Sequence, residues 1–343
     1  MPLTGEQYNR IMRVLDERRL AAGDIRQKRV DEIEKSIPEI AGINDEILRV
    51  NREELSARFA KNTEKTAELK KKRQELFEAK KALVKKAGYP ENYTEAPFFC
   101  NKCGDTGYID GTVKCACFKA LEADIVNSES GLPDFLNAVP IEEMNTEIYD
   151  DTAPMPDLPR NAKKFTQKEY MEKAVIPRIR RYTAEFDGIG SHNIFMSGAA
   201  GTGKTYLTAC VAKSLMASLH TVIYISASEL FSTYSRAEFG RGDQGALESR
   251  ISLIENSDLL IIDDLGTEYT TDLNKSRFFA LIDSRLKKKL STIISSNMNL
   301  NEVDAAYGER IASRINGEYM ILPFFGTDLR LKARRQAGYD RRY

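Results

Sequence analysis

Residues 193–210 read NIFMSGAAGTGKTYLTAC, and this stretch decides the fold of the chain around it. An apolar strand leads into a glycine-rich loop with the pattern G-x-x-x-x-G-K-[ST], and an apolar helical pattern follows. Glycines let the backbone curl so that successive N–H groups point at a phosphate, and the helix adds the positive end of its dipole. The sequence therefore predicts a nucleotide site that binds ATP or ADP.

Within this loop each residue type has an expected task. Lys204 is expected to reach the β- and γ-phosphates, and the Thr205 hydroxyl to complete the Mg²⁺ shell. The predicted nucleotide-binding residues are Gly198, Ala199, Ala200, Gly201, Thr202, Gly203, Lys204, Thr205 and Tyr206.

The second half of such a site is an apolar strand that ends in an acid, and residues 259–264 read LLIIDD. Asp263 is expected to hold Mg²⁺ through water, and Asp264 to polarise the attacking water or only to cap the following loop. An Asp has a shorter reach than the Glu of fast ATPases, which favours slow, switch-like turnover. Asn297, after the strand TIISS, is expected to orient the lytic water, the alternative being a plain strand-end turn. Lys204 completes this predicted catalytic set.

Four apolar runs, NIFMSG, TVIYISA, DLLIIDD and STIISSN, alternate with helical patterns from about Asn161 to the end. Buried parallel strands have continuous apolar runs of this kind. We expect an α/β domain over 161–343, with a parallel sheet and helices on both faces.

Residues 1–88 hold 21 basic and 16 acidic residues among helix formers, and Pro38 predicts a helix break. Leu69, Leu76 and Leu83 recur every seven residues, which is a narrow, coiled-coil-like seam that needs a partner helix. The partner is either the neighbouring helix of a hairpin or another protein. We therefore predict a helical arm that binds a partner.

The four cysteines Cys100, Cys103, Cys115 and Cys117 have the spacing of a metal site. Asp110-Gly111 lies between β-formers and predicts a two-residue hairpin whose closure brings Cys103 and Cys115 together. Residues 89–125 are therefore predicted to be a structural zinc module. An iron–sulfur cluster or ordinary buried thiols are the alternatives.

Between residues 126 and 160, five prolines and many acids predict an extended linker. The chain has 51 basic and 51 acidic residues, yet residues 89–160 hold 4 basic and 14 acidic ones, so the flanking segments are both basic. The final stretch RLKARRQAGYDRRY has six basic residues and one acid, enough to approach a phosphate backbone. No apolar run reaches the ~20 residues of a membrane span, and the first residues lack a secretory signal, so we expect a cytoplasmic protein without membrane contact.

GAAGTGKT, LLIIDDLGTE, IISSN, GERIASRI and GTDLRLK together resemble the AAA+ ATPases of the bacterial helicase-loader group, the DnaC/DnaI type, to which the transposition helper IstB is similar. The resemblance covers about residues 161–335. It implies a P-loop ATPase without a lid domain, whose hydrolysis is stimulated by DNA or a partner. The zinc module also resembles that of DnaI-type loaders.

The resemblance also implies roles for further residues. Arg314 matches the arginine that completes the ATP site of a neighbouring subunit, with Arg310 as the competing candidate, and Arg330 matches the arginine that senses the γ-phosphate. Single-stranded DNA would lie near the segment after the second strand, where we expect contacts from Arg236, Arg241, Arg250, Tyr234 or Phe239.

The implied partners are a hexameric, DnaB-type replicative helicase, single-stranded DNA and further copies of this chain through ATPase interfaces. The leading hypothesis is an ATP-dependent helicase loader. The alternatives are an IstB-like helper acting on duplex DNA and a zinc-containing adaptor whose nucleotide site only fixes conformation.

Overall fold

A computed structural model describes residues 3–133, 137–151, 165–190, 192–268 and 270–330. These residues form two compact units, one of Tyr8–Phe118 and one within Met1–Gln7 and Lys119–Tyr343. The predicted boundary at 160/161, the predicted absence of a lid after Arg330 and the basic tail over 331–343 fall outside the described residues. The four domain ranges remain predictions. None of the described helices has the length and apolarity needed to cross a bilayer.

The unit of Tyr8–Phe118 is the helical unit. Its three long helices are α1 (Gly5–Ser36), α2 (Glu39–Phe59) and α3 (Thr63–Lys86). The break between α1 and α2 lies at Pro38, as predicted. Helices α2 and α3 pack against each other through a cluster that includes Val50 and Leu69, with Leu76 against it. A second cluster joins Ile33 to Val84. The neighbouring helix of the same chain thus covers the leucine seam, as the hairpin interpretation predicted.

The predicted hairpin is present as β1 (Tyr108–Ile109) and β2 (Val113–Lys114), which pair antiparallel. Asp110 and Gly111 at its tip have φ values of 50° and 75°, as a turn with two left-handed residues requires. Helix α4 (Ala116–Ser128) begins directly after the hairpin.

The second unit is built on a parallel sheet of five strands in the order β4-β5-β6-β3-β7. Its strands are β3 (Asn193–Gly198), β4 (Val222–Ser226), β5 (Leu259–Leu265), β6 (Ser291–Ser296) and β7 (Tyr319–Phe324). Its longer helices are α7 (Lys204–Ala217), α8 (Ala227–Glu238), α9 (Gln244–Asn256), α10 (Asp272–Lys287), α11 (Leu300–Tyr307) and α12 (Glu309–Glu318). Before β3, α5 (Gln167–Tyr170) continues through a π turn (Met171–Val175) into α6 (Ile176–Ala184).

Helices cover both faces of this sheet, as predicted. On one face Ile194 and Met196 pack with the apolar residues of α6 and α7. On the other, Phe195 packs with residues of α8 to α12. Because successive side chains of a strand point to opposite faces, a continuous apolar run fills both layers. The predicted α/β fold class is thus confirmed.

Two features were not predicted. Strand β7 was not among the four predicted strands. It contains Pro323, which the sheet tolerates because β7 is an edge strand and needs no donor on its outer side. In the segment expected to be an extended linker, the structure has two 3₁₀ turns, Ile141–Glu143 and Thr146–Ile148. The side chains of Ile141, in the first turn, and Tyr149, directly after the second, are fully buried. Apolar anchors pack this part of the acidic segment onto the core.

One buried cation joins several elements of the sheet layer. The side chain of Arg285, on α10, is fully buried and donates to the carbonyl oxygens of Ile254 (3.0 Å), Ser257 (3.1 Å) and Ser291 and to the Thr292 hydroxyl (3.0 Å). Burial lowers the pKa of Arg285 to about 10. Four acceptors replace the water that the guanidinium loses.

Candidate nucleotide site and cysteine centre

The glycine-rich loop joins the carboxyl end of β3 to the first turn of α7, as predicted. Gly203 precedes α7 with φ of 100°, a conformation that glycine adopts without strain. A Cβ atom on Gly198 would collide with the carbonyl oxygen of Phe324 on the neighbouring strand. These glycines therefore shape the loop and let it approach β7.

Lys204 lies within this loop and makes three hydrogen bonds. Its Nζ donates to the carbonyl oxygens of Gly198 (2.6 Å) and Ala199 (2.8 Å) and to Oδ1 of Asn297 (2.9 Å). Burial lowers the pKa of Lys204 to about 8, although the nearby Asp264 and Asp263 act in the opposite direction. A phosphate would supply the negative charge that this partly desolvated ammonium favours.

Asp263 is the centre of the site. Thr205 Oγ1 lies 3.3 Å from its Oδ1, while the hydroxyls of Ser295 and Tyr224 donate to its Oδ1 and Oδ2, the latter at 2.6 Å. Tyr224 and Ser295 come from the strands on either side of β5. Sequence reasoning missed both residues, because only the pairing of the strands brings them to the acid.

Asp264 and Asn297 also meet. Asn297 Nδ2 donates to Asp264 Oδ1 at 3.0 Å, and the backbone N–H of Asp264 donates to Ser295 Oγ at 3.0 Å. Asp264 is exposed and has φ of 60°, at an irregularity in the pairing of β5 with β6. A non-glycine residue in this conformation is strained, which is common at functional positions. Lys204, Asp264 and Asn297 thus form one connected polar chain.

These side chains fit Mg²⁺ and ATP. A hydroxyl and a carboxylate, Thr205 and Asp263, lie side by side, which is the oxygen donor set that Mg²⁺ takes beside a phosphate. Of the other predicted binding residues, Thr202 is buried and donates to the carbonyl oxygen of Ala199 at 2.8 Å. Burial raises the pKa of Tyr206, which lies in the first turn of α7 and packs against the core. Ala199 and Ala200 are exposed, and Gly201 is half-buried.

The three predicted arginines divide into two groups. The charge of Arg330 contributes to the lowered pKa of Lys204, which places Arg330 near the loop, and the Leu329 N–H donates to the carbonyl oxygen of Gly201 at 2.9 Å. Arg314 instead pairs with Asp283 at 3.2 Å. Arg310 stacks over the Phe279 ring at 4.1 Å. The ion-pair partner of Arg314 therefore lies on α10 and not in the glycine-rich loop.

The five residues predicted to contact DNA lie on α8, α9 and the turn between them. The structure gives Arg250 an intramolecular partner in the Glu129 carbonyl oxygen, and Tyr234 another in Glu255 at 3.4 Å. Arg236, Arg241 and Phe239 are exposed. The DNA contact remains a prediction, and these three residues are its best candidates.

The four predicted cysteine ligands converge in the helical unit, with all four sulfurs within 4.8 Å of one another. The sulfurs of Cys100 and Cys115 are 3.7 Å apart, and those of Cys103 and Cys117 are 3.3 Å apart. A tetrahedral site with Zn–S bonds of ~2.3 Å requires sulfurs about 3.8 Å apart. The cluster therefore fits zinc.

The loop before the hairpin holds the first cysteines in place. Asp105 is buried, and its carboxylate accepts the backbone N–H groups of Phe99 (2.9 Å) and Cys100 (2.8 Å). A backbone hydrogen bond from Cys103 lowers the pKa of Cys100 to about 7, which favours the thiolate that a metal binds. Burial raises the pKa of Cys117. Without a cation, four thiolates at these distances would repel one another.

Comparison with known proteins relates the chain to ATP-binding proteins. A protein of Escherichia coli K12 named replicative helicase loader DnaC is 29% identical over 140 residues, which cover 41% of this chain and 56% of that protein. Its namesake in Buchnera aphidicola subsp. Baizongia pistaciae is 27% identical over 161 residues, or 47% of this chain and 65% of that protein. The chain thus spans little more than half the length of the curated relatives that it matches.

Solved structures of a DnaC helicase loader and of DnaI are also similar. The first has a TM-score of 0.38 and 23% identity, over 43% of this chain and 87% of that one. The second has a TM-score of 0.40 and 22% identity, over 55% and 94%. Residues 147–337, more than half of the chain, match the family described as IstB-like ATP binding protein. The chain therefore belongs to the IstB-like family of ATP-binding proteins.

Proposed function

We propose that this protein is an ATP-dependent loader that binds a hexameric, DnaB-type replicative helicase and helps place it on single-stranded DNA during replication initiation in the cytoplasm. The observation that carries the proposal is the similarity to proteins named replicative helicase loader DnaC. The helical unit would hold the helicase. The ATPase units, each formed by Met1–Gln7 and Lys119–Tyr343 of one chain, would assemble side by side and contact the DNA.

In the proposed mechanism Lys204 exchanges its loop carbonyls for phosphate oxygens, and Thr205 and Asp263 hold the Mg²⁺. When bound, Mg²⁺ neutralises charge on the transferring phosphoryl group. Asn297 and Asp264, already hydrogen-bonded, orient the attacking water. Arg314 acts on the site of the next copy and Arg330 on its own. Hydrolysis is slow and serves as a switch that releases the helicase.

We also propose that Cys100, Cys103, Cys115 and Cys117 bind one structural Zn²⁺. The distances between sulfurs support this, and the spacing leaves no open coordination position for catalysis. An iron–sulfur cluster remains the alternative that metal analysis and an absorption spectrum of the purified protein would separate.

The test uses the full chain mixed with a purified hexameric helicase. We expect co-elution with the helicase in the presence of ATP and a stimulated rate of helicase-dependent unwinding. Lys204→Ala should abolish nucleotide binding, whereas Arg314→Ala should keep binding and lose stimulated hydrolysis. Failure to recover the helicase would reject the loader proposal. Full stimulated hydrolysis by Arg314→Ala would transfer that role to Arg310.

The alternative function is that of an IstB-like helper that acts on duplex DNA; the family match, which is described by ATP binding alone, does not favour it over the loader. It predicts filaments on duplex DNA and no complex with a helicase. Sedimentation with a long duplex, with and without ATP, distinguishes the two functions.

A further inference from the structure

A basic cleft in the helical unit has no part in the nucleotide site. It has a volume of about 830 Å³ and lies between α1, α3 and the loop that leads to the first cysteine. Its basic side chains are Arg19 and Arg26 from α1 and Lys80 and Lys81 from α3, against Glu91 and Glu95 from the loop. The volume is that of a small-ligand site, so the cleft suits a short chain segment.

Most of these cations lack an acidic partner. Among the described residues, Arg26, Lys80 and Lys81 have no carboxylate within 4 Å, whereas Arg19 pairs with Asp16 at 2.7 Å. Glu91 is already paired with Lys85 at 2.7 Å. The positive charge of the cleft is therefore available to an external anion.

The position of Lys80 supports the same conclusion. It is partly buried, and its Nζ donates to Asn44 at 2.7 Å. Burial and the nearby charge of Arg26 lower the pKa of Lys80, while Glu34, which accepts a hydrogen bond from Asn44, acts more weakly in the opposite direction. Lys80 is partly buried and the nearby Arg26 is exposed, so an anion that enters the cleft would meet both charges.

Aromatic side chains lie beside these cations. Phe77 and Phe98 both line the cleft, and Phe77 is 40% exposed. Outside it, Phe99 is 74% exposed, with the Arg18 guanidinium 4.1 Å from its ring centre. A surface for single-stranded nucleic acid combines cations that bind phosphates with aromatic rings on which bases stack. A duplex offers no free base faces to such rings.

We propose that this cleft binds single-stranded nucleic acid, with Arg26, Lys80 and Lys81 on the phosphates and Phe77 and Phe98 on the bases. This site is separate from the DNA contact proposed for the ATPase unit and does not require ATP. It does not rest on the loader function, because failure to bind a helicase would leave it intact.

The test measures fluorescence anisotropy of labelled oligo-dT and oligo-rU with the full chain, without nucleotide, at several salt concentrations. The cleft variant is Arg26→Gln, Lys80→Gln, Lys81→Gln. The matched control is Lys28→Gln, Lys71→Gln, Lys86→Gln, which removes the same charge from exposed positions of the same helices. Thermal unfolding of both variants verifies that they fold.

We expect the cleft variant to bind at least tenfold more weakly, and the slope of log K against log salt to fall by about 2, for three lost phosphate contacts. The control should stay within about twofold of the wild type. Phe77→Ala should lose about tenfold with an unchanged slope, because it removes stacking and no charge. Tighter binding of oligo-dT or of oligo-rU would identify the ligand as DNA or RNA.

Photocrosslinking with 5-iodouracil oligonucleotides locates the contact independently, and we expect crosslinked peptides that contain Phe77 or Phe98. Equal affinity of the cleft variant and its control would overturn the proposal. Crosslinks confined to residues 227–256 would also overturn it. So would binding of an acidic peptide by a chain that binds neither oligonucleotide.

Discussion

In the ATPase unit a five-stranded parallel sheet lies between two helical layers, whereas the helical unit has separate small clusters around Ile33 and Val50 and a loop region gathered by four cysteines. Buried apolar side chains on both faces of the sheet stabilise the ATPase unit. The polar residues at its strand ends can therefore form a site. The cysteine region packs the buried Phe118 ring against Tyr108 and gathers four cysteine sulfurs that no disulfide joins. Its order is therefore expected to depend on a metal, because a structural zinc supplies folding free energy directly.

The largest expected effect is removal of this metal. Chelation of the nucleotide-free protein, or Cys103→Ser, should unfold the region around residues 98–118, because structural Zn²⁺ contributes on the order of 10 kcal/mol. Hydrogen exchange measured by mass spectrometry should show lost protection there and unchanged protection over 193–210. Cys210→Ser, at the cysteine buried in the other unit, should keep one zinc per chain. Equal zinc content in Cys103→Ser would contradict the assignment.

The next effect concerns the ATPase unit, where the buried side chain of Arg285 donates hydrogen bonds to several elements. Arg285→Met should lower the free energy of unfolding by about 4 kcal/mol, because it leaves several buried carbonyl oxygens without a donor. Denaturant titration of this variant measures the loss. Arg277→Met, on the same helix with an exposed ion pair to Glu238, should lose less than about 1 kcal/mol. Similar losses for both would refute a structural role for the buried arginine.

A smaller effect is expected at Asp263, the acid that we propose as the Mg²⁺ ligand. Tyr224→Phe removes the hydroxyl that donates to Asp263 at 2.6 Å. Loss of such a supporting bond should weaken Mg²⁺ binding in the presence of ATP about tenfold, with nucleotide binding in the absence of Mg²⁺ little changed. Mg²⁺ titrations of nucleotide binding measure the difference. Tyr234→Phe, whose hydroxyl contacts Glu255, is the matched control. If both variants need the same Mg²⁺ concentration, Tyr224 does not position the acid.

The smallest effect is a pH dependence of opposite sign for binding and stability. The pKa of Lys204 is lowered to about 8, and bound phosphates would raise it. Above pH 8, ATP binding would then be accompanied by protonation of Lys204. The affinity for ATP should therefore fall with rising pH, by at most about tenfold per pH unit. Between pH 8 and 10.5 the unfolded chain holds more protons at this lysine, so the stability of the nucleotide-free protein should rise with pH.

Calorimetry in buffers of different ionisation enthalpy measures the proton uptake, and the stability contribution is the difference between the wild type and Lys204→Met. An affinity for ATP that is constant from pH 7.5 to 9 would contradict the assigned pKa of Lys204.

The sequence predicted most of the site and less of its surroundings. Lys204 was identified from the glycine-rich motif, and Asp263 and Asn297 because each follows an apolar run at the carboxyl end of a parallel strand, where such residues must meet. Tyr224 and Ser295 gave no such signal, since they look like ordinary strand residues. Strand β7 was missed because Pro323 interrupts its pattern, and only its edge position makes that proline harmless. The buried turns at Ile141 and Tyr149 were missed because prolines and acids dominate their composition.

By itself the sequence determined the features that depend on local chemistry: a glycine-rich loop between a strand and a helix, strands that are apolar throughout, a turn at Asp110-Gly111 and cysteines spaced for a metal. The tertiary structure decided which residues far apart in sequence touch. It placed Tyr224 and Ser295 on Asp263, Arg285 on its carbonyl oxygens and α1 beside α3 around the basic cleft. Strand order and helix packing are set by burial summed over the whole core, and no single motif encodes them.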